Sequence, residues 1–294
     1  MTFPNSAHIS DLQTLPRMPD WITASSGSDA EDAVFRAGAA LGHLHLVMSQ
    51  EAVPKPLFYN RLALQSAEAC VVFSGRPERQ RDLRDAVHLL RPGDLPGPAG
   101  DIYLAWQSAV AGRLSVKTLR HALPRLDAAR IAFWLDAGQG APVSRAAMVM
   151  EAVLTDQPRD EVPALILADA ALAQALGWDH LVPLWAAGLR RADLRKRGAD
   201  LHLACHRAVT ASAISAVRMA GDLARRAAVL QAVSPKLRAK GASDAVAMFL
   251  TQDAVAPAAL PLPDRAARRL CDRLVTLGAV RELTGRDTFR LYGV

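Results

Sequence analysis

Cysteine is scarce in this sequence, long apolar runs are missing, and each absence excludes a class of protein. Three cysteines in 294 residues cannot hold a fold together through disulfides, so packing must supply the core. No stretch approaches the roughly 18 consecutive apolar residues of a membrane-spanning helix. The first residues lack the basic and apolar parts of a secretory signal. We therefore expect a cytoplasmic protein with no membrane contact.

Familiar catalytic and cofactor motifs are also missing. The chain contains no GxSxG, GxxxxGK[ST] or HExxH string, and no GxGxxG after a strand. Cys205, His206 and the nearby His202 offer too few ligands for a metal site. We predict that the protein is not an enzyme and that it holds no cofactor and no metal.

Helical periodicity is what the sequence does contain, through most of its length. Apolar and small residues recur at helical spacing from about residue 29 onward, and the longest continuous stripe predicts one helix over 199–233. Alternation typical of strands is almost absent before residue 279. The basic segment 235–241 follows the long helix and resembles a linker. These patterns predict an all-helical body that ends near residue 240.

The last part of the chain has a distinctive order of elements. Its spacing predicts three helices and then a hairpin of two strands. The predicted bounds are 243–251 for the first helix, 254–260 for the second, which is a short helix or a turn, and 265–277 for the third. The predicted strands are 279–283 and 288–292. Three helices followed by a two-stranded hairpin is the order found in the winged helix-turn-helix.

The sequence therefore predicts a mainly α fold with three parts. Residues 1–28 form a loosely ordered N-terminal segment, residues 29–240 the helical body, and residues 241–294 a winged helix-turn-helix with a small β-hairpin. We expect the body to dimerise or to sense a partner, so a protein partner or a homo-oligomer is compatible with this organisation.

Positive charge is concentrated in the last third of the chain. The whole chain has a net charge of +6, whereas residues 186–240 carry twelve Lys and Arg against three Asp. Such asymmetry suggests an anionic partner, most often nucleic acid. An arginine-rich solvated helical face is the other interpretation. The densest basic run, residues 190–197, fits a contact with DNA or with an acidic partner, or a solvated loop.

The winged-helix interpretation also predicts which residues would contact DNA. In that fold the third helix enters the major groove and the hairpin lies along the backbone. Guanidinium groups suit both phosphate and guanine. The predicted contacts are the arginines Arg265, Arg268, Arg269, Arg273, Arg286 and Arg290. Arg281 lies on the first predicted strand, while Asp272 and Glu282 would repel phosphate.

Two resemblances bear on this interpretation. Residues 277–286 resemble the C-terminal winged helix of many Fic-domain proteins, although the His-Pro-Phe-x-x-Gly-Asn-Gly-Arg motif of Fic catalysis is missing. The sequence more closely resembles an uncharacterised bacterial family, often plasmid-borne and catalogued as a domain of unknown function, from about residue 30 to the end. The segments that carry this likeness are 61–64, 83–89, 91–100 and 237–241. It implies a helical body with a C-terminal winged helix and no established activity.

Together these observations favour a protein that docks duplex DNA through a C-terminal winged helix, as a regulator or a plasmid-maintenance factor. One alternative is an interaction scaffold whose winged helix contacts another protein. A second is a degenerate Fic-like enzyme without the catalytic motif. Steep salt dependence of DNA binding distinguishes the first function from the interaction scaffold.

Overall fold

The computed structural model describes residues 15–24, 29–91, 93–237 and 240–294. Most of the predicted N-terminal segment, and two residues of the predicted linker, lie outside this description.

The described residues are mainly helical, with a small hairpin at the end. The helices are α1 (Asp20–Thr23), α2 (Ala30–Met48), α3 (Lys55–Phe73), α4 (Gln80–His88), α5 (Gly97–Val110), α6 (Val116–Ala122), α7 (Ala128–Asp136), α8 (Pro142–Asp156), α9 (Glu161–Ala175), α10 (Trp185–Gly188), α11 (Gly198–Val233), α12 (Ala242–Thr251) and α13 (Asp264–Thr276). The strands are β1 (Arg281–Glu282) and β2 (Tyr292–Gly293).

The core is built around α9, which is apolar on every side. All its residues from 164 to 173 are buried, and a helix with this pattern must lie inside the fold. α8 packs against α9, α2 packs along α11, and α3 packs against α5. No described helix is both long and apolar enough to cross a membrane.

The predicted long helix is confirmed. The Pro- and Gly-rich segment 91–100, from which the sequence predicts a loop, and the segment 178–189, from which it predicts a helix, both differ in the structure. α11 spans Gly198–Val233 because its apolar stripe is continuous and Pro235 stops it. α5 begins at Gly97, inside the segment that the sequence predicts as a loop, because Pro98 is compatible with the first turn of a helix. The segment 178–189, predicted as a helix, is irregular apart from α10.

A buried carboxylate explains this irregular segment. Asp169 of α9 is only 1% exposed, and its Oδ1 accepts a hydrogen bond of 3.0 Å from the Leu184 main-chain N–H. A side chain of the core therefore satisfies a backbone donor that a longer helix would have satisfied internally. Burial raises the pKa of Asp169 well above its usual value, although N–H groups of Leu184 and Trp185 oppose the shift.

This raised pKa predicts an unusual dependence of stability on pH. An acid whose pKa is higher in the folded state loses stability as pH rises from its unfolded pKa through its folded pKa. Asp169→Asn keeps an acceptor for Leu184 and cannot ionise. We expect the variant to gain stability relative to wild type as pH rises from 5 to 8, measured by urea unfolding. A stability difference that does not change with pH would contradict this account.

The C-terminal part combines a hairpin with one extra bridge. β1 and β2 are antiparallel, with Arg281 opposite Gly293 and Glu282 opposite Tyr292. Val255 pairs with the other edge of Tyr292, so β2 lies between Val255 and β1. Within 254–260, where the sequence predicts a short helix or a turn, the structure has the Val255 bridge and then a 3₁₀ turn, Pro257–Ala259.

The paired region of the hairpin is also shorter than predicted. One further backbone hydrogen bond, from Leu283 N–H to the Leu291 carbonyl at 2.8 Å, extends it beyond β1 and β2. After that point the Glu282 carboxylate accepts hydrogen bonds of 2.6 Å from the N–H groups of Thr284 and Gly285. The chain therefore leaves the pairing after Leu283, where the first predicted strand ends. A single hydrophobic cluster extends from α2 in the body to Tyr292, so the C-terminal part packs directly on the body.

Candidate nucleic-acid interface

One face of α13 carries most of the predicted DNA contacts. Arg265, Arg268, Arg269 and Arg273 are all exposed. The opposite face packs into the core, because apolar and small residues recur three and four positions apart along the helix. Its buried residues are Ala267, Leu270, Cys271 and Leu274. The sequence pattern thus sorts the arginines onto the solvent side.

Most of these guanidinium groups have no carboxylate partner. Arg268 forms an exposed ion pair with Asp264, one helical turn earlier, at 3.0 Å. Among the described residues, Arg265, Arg269 and Arg273 form neither an ion pair nor a side-chain hydrogen bond. A surface pair such as Arg268–Asp264 contributes little to stability and exchanges readily with a phosphate. The face therefore presents largely uncompensated positive charge to solvent.

The hairpin arginines make contacts within the protein. Arg286 binds Asp85 of α4 through two parallel hydrogen bonds of 2.7 Å, and donates to the Phe289 carbonyl at 2.9 Å. Arg290 pairs with Asp287 at 3.2 Å and donates to the Arg286 carbonyl. The structure thus directs Arg286 towards the helical body, while the four arginines of α13 share one exposed face.

The turn of the hairpin has two further features. Glu282 accepts hydrogen bonds from Thr284 and Gly285, and although burial opposes the shift, these bonds lower the pKa of Glu282. Phe289 is 67% exposed and has a positive φ of 52°, which is uncommon for a large side chain. No sequence pattern predicts the positive φ of Phe289. Its carbonyl accepts a hydrogen bond from Arg286, which is itself held by Asp85 of α4.

A buried ion cluster joins the C-terminal part to the body. The Asp253 side chain is fully buried and accepts hydrogen bonds of 2.6 and 3.0 Å from Arg84 of α4. Arg61 of α3 also forms an ion pair with Asp253 and donates to the main-chain oxygen of Val294 at 3.0 Å. Sequence reasoning missed these residues, because a single Asp between two short elements carries no local signal.

Residues 6–294 match the family described as "Protein of unknown function (DUF1403)". The chain belongs to the DUF1403 family. This result confirms the resemblance to a family catalogued as a domain of unknown function, whereas the plasmid association and the Fic-like winged helix stay predictions. No curated protein matches this DUF1403 sequence.

The basic run of this DUF1403 protein, residues 190–197, is partly neutralised by Asp193, which lies within it. Residues 191–195 form a 3₁₀ turn in which the Asp193 carboxylate accepts the Arg190 N–H at 2.9 Å and pairs with Lys196 at 2.7 Å. Arg191 reaches Glu161 of α9 at 3.3 Å. The run therefore includes a local ion-pair network as well as exposed charge.

The cysteines of the DUF1403 chain are free, and each of them is buried. Across the described residues, no three His, Cys, Asp or Glu side chains are grouped so that they could hold a metal. Burial raises the pKa of the thiols of Cys70, Cys205 and Cys271 to about 12 in each case. At neutral pH these cysteines are thiols, not nucleophilic thiolates.

Proposed function

We propose that the protein binds duplex DNA through the exposed face of α13. The observation that carries this proposal is the set of unpaired arginines Arg265, Arg269 and Arg273 on one side of a helix whose other side is buried. Arginines arranged this way fit both the phosphate backbone and the major-groove edge of guanine.

The surrounding elements support a winged-helix interpretation. α12, the Val255 bridge, the 3₁₀ turn, α13, β1 and β2 follow one another in the winged-helix order, and β2 lies between Val255 and β1. α13 then takes the place of the recognition helix. The exposed Phe289 in the hairpin turn adds an apolar side chain of the kind that architectural proteins insert into the minor groove.

Arg286 has a different part in this proposal from the one expected from sequence. Its paired hydrogen bonds to Asp85 fix the hairpin against α4. We therefore assign DNA contact to α13 and Phe289, and assign to Arg286 the positioning of the hairpin. A role as a regulator or a plasmid-maintenance factor would follow from specific DNA binding.

Fluorescence anisotropy with labelled mixed duplex DNA tests the proposal. Full-length protein is required, because the continuous core means that a truncation at Gly241 would expose apolar surface. We expect the triple variant Arg265→Ala, Arg269→Ala, Arg273→Ala to bind at least about tenfold more weakly at low salt. Its slope of log affinity against log salt should fall by about three if each arginine contacts a phosphate.

A matched control separates this interface from the overall charge of the protein. Arg120, Arg125 and Arg159 are exposed and lie on or between α6 and α9, so their joint change to Ala removes the same charge elsewhere. That control should bind DNA within about twofold of wild type. An equal loss of DNA affinity in both triple variants would show that the net charge of the protein, and not the face of α13, determines binding. Wild-type protein without salt-sensitive DNA binding would overturn the proposal and favour a protein partner for the C-terminal part.

A further inference from the structure

A second basic feature lies away from the exposed face of α13, where α3, α11 and β1 meet. A cavity of about 330 Å³ at this junction is lined by Arg61, Arg218, Arg226 and Arg281. We call it the arginine pocket. Three separate elements supply these side chains, so the cluster is a product of the tertiary fold and not of one charged helix face.

The geometry of α11 brings two of the arginines together. Arg218, Asp222 and Arg226 are spaced four residues apart, which places them on one side of the helix. Asp222 is the acidic side chain of the pocket lining, and it forms an ion pair with Arg225. Among the described residues, Asp222 forms no ion pair with Arg218 or with Arg226.

The remaining charges of the arginine pocket are also poorly compensated. Arg61 is held by Asp253 behind the pocket. Within the described part of the chain, Arg218, Arg226 and Arg281 form no ion pair and no side-chain hydrogen bond. The cluster therefore has several guanidinium groups with open donors facing one cavity.

Electrostatic effects in the pocket agree with this geometry. Burial lowers the pKa of Arg281, and the nearby charges of Arg226, Arg61 and Arg84 lower it further. Burial also lowers the pKa of Arg61; the Asp253 carboxylate opposes this shift, whereas the charges of Arg84 and Arg226 add to it. Like charges held this close repel one another, and a bound anion would relieve the repulsion.

A second cleft continues from the pocket, and Glu68 and Arg79 are the charged residues of its lining. It has a volume of about 490 Å³, lies between α3, α10 and α11, and shares Gln65, Gln80 and Ser215 with the arginine pocket. Much of the rest of its lining is apolar, including Leu62 and Phe73. The combined site offers cationic donors in the arginine pocket and amide and hydroxyl groups in the lining that the two cavities share. The cleft adds apolar surface beside the Glu68 carboxylate, which accepts a hydrogen bond of 2.9 Å from Gln80.

We propose that the arginine pocket binds the phosphate group of a phosphorylated small molecule whose uncharged part extends into the adjoining cleft. Arginine is suited to phosphate because its planar donors form paired, charge-assisted hydrogen bonds with the oxygens. A ligand in this position would contact the body through α3 and α11, and the C-terminal part through β1. The site uses none of the arginines of α13 and is independent of the proposed DNA contact.

Isothermal titration calorimetry and thermal unfolding of the full-length protein test the site. The probes are inorganic phosphate and ADP, with adenosine as the analogue without phosphate. We expect ADP to bind more tightly than phosphate, because it also reaches the cleft, and adenosine to bind at least about tenfold more weakly than ADP. Arg218→Ala with Arg226→Ala should weaken ADP binding about tenfold or more, as expected for lost hydrogen bonds to a charged group.

The Tm of the variant without ligand distinguishes lost ligand binding from lost stability of the fold. Arg226 repels Arg61 and Arg281, so removing it together with Arg218 should leave the Tm without ligand unchanged or higher, while the rise in Tm caused by ADP disappears. Arg120→Ala with Arg125→Ala removes the same charge elsewhere and should keep the full response to ADP. Arg281→Gln is an independent variant on another element and should weaken ADP binding in the same direction.

Three results would overturn the proposal: no stabilisation of wild type by phosphate or ADP, unchanged ADP binding in the Arg218 and Arg226 variant, or a loss of DNA binding in that variant without a loss of ADP binding. The third result would mean that the arginine pocket contacts the nucleic-acid backbone. The α13 triple variant keeps every residue of the arginine pocket and should bind ADP like wild type. The DNA proposal can therefore fail while the phosphate proposal holds.

Discussion

Replacement of Asp253 by alanine should lower the free energy of unfolding by about 3–5 kcal/mol, because it leaves buried cations without their counter-charge. The Asp253 side chain has no exposure, and those of Arg84 and Arg61 are only 8% and 11% exposed. Water cannot replace the lost carboxylate at such depth. Urea unfolding followed by circular dichroism would measure the loss.

A second Asp–Arg pair provides the control for this prediction. Asp264 pairs with Arg268 on the surface of α13, where both side chains are more than 60% exposed. Asp264→Ala should change stability by no more than about 0.5 kcal/mol. Asp253→Asn keeps an acceptor but loses the charge, so its stability should lie between those of wild type and Asp253→Ala. An Asp253→Ala protein as stable as Asp264→Ala would show that the buried cluster contributes little to holding the C-terminal part.

Gly188→Ala should also be strongly destabilising, by about 1–3 kcal/mol, because it forces an extra methyl group into a closed backbone contact. A Cβ at this position would lie 2.5 Å from Ser212 Oγ and 2.8 Å from the carbonyl carbon of Ala208. Ser212 cannot move freely, since its hydroxyl donates a hydrogen bond of 2.7 Å to the Leu184 carbonyl. The end of α10 and the middle of α11 would have to separate.

The same substitution at Gly38 should have the opposite sign. Gly38 lies within α2, and a Cβ there would have no heavy atom within 4 Å. Alanine favours a helix over glycine by about 0.5–1 kcal/mol, so Gly38→Ala should raise the urea midpoint. A Gly188→Ala protein that unfolds at or above the wild-type midpoint would contradict the tight α10–α11 contact.

Local sequence patterns predicted the parts of this fold that local interactions decide. The ends of α11 were predicted within one residue, because a continuous apolar stripe ends at Pro235. The exposed arginines of α13 follow from the same helical spacing. The hairpin and the segment before α10 were predicted less well. Their conformations depend on Val255 pairing with Tyr292 and on Asp169 binding Leu184.

The candidate sites show the same division. The spacing of Arg218, Asp222 and Arg226 is visible in the sequence and already predicts a shared helix face. Nothing local predicts that Arg61 and Arg281 complete the arginine pocket with them. Likewise, the contact between Arg286 and Asp85 joins residues 201 positions apart, and no spacing rule relates such positions.

The buried ion cluster also sets an order of events while the chain is being made. Arg84 precedes Asp253 by 169 residues, and Arg61 precedes it by 192. At a synthesis rate of about 5–20 residues per second, roughly 10–40 s separate the emergence of the arginines from that of their carboxylate. A body that closed early would enclose two unpaired cations. The surfaces of α3 and α4 that carry these arginines therefore have to stay hydrated until the segment around Asp253 has been synthesised and has reached them.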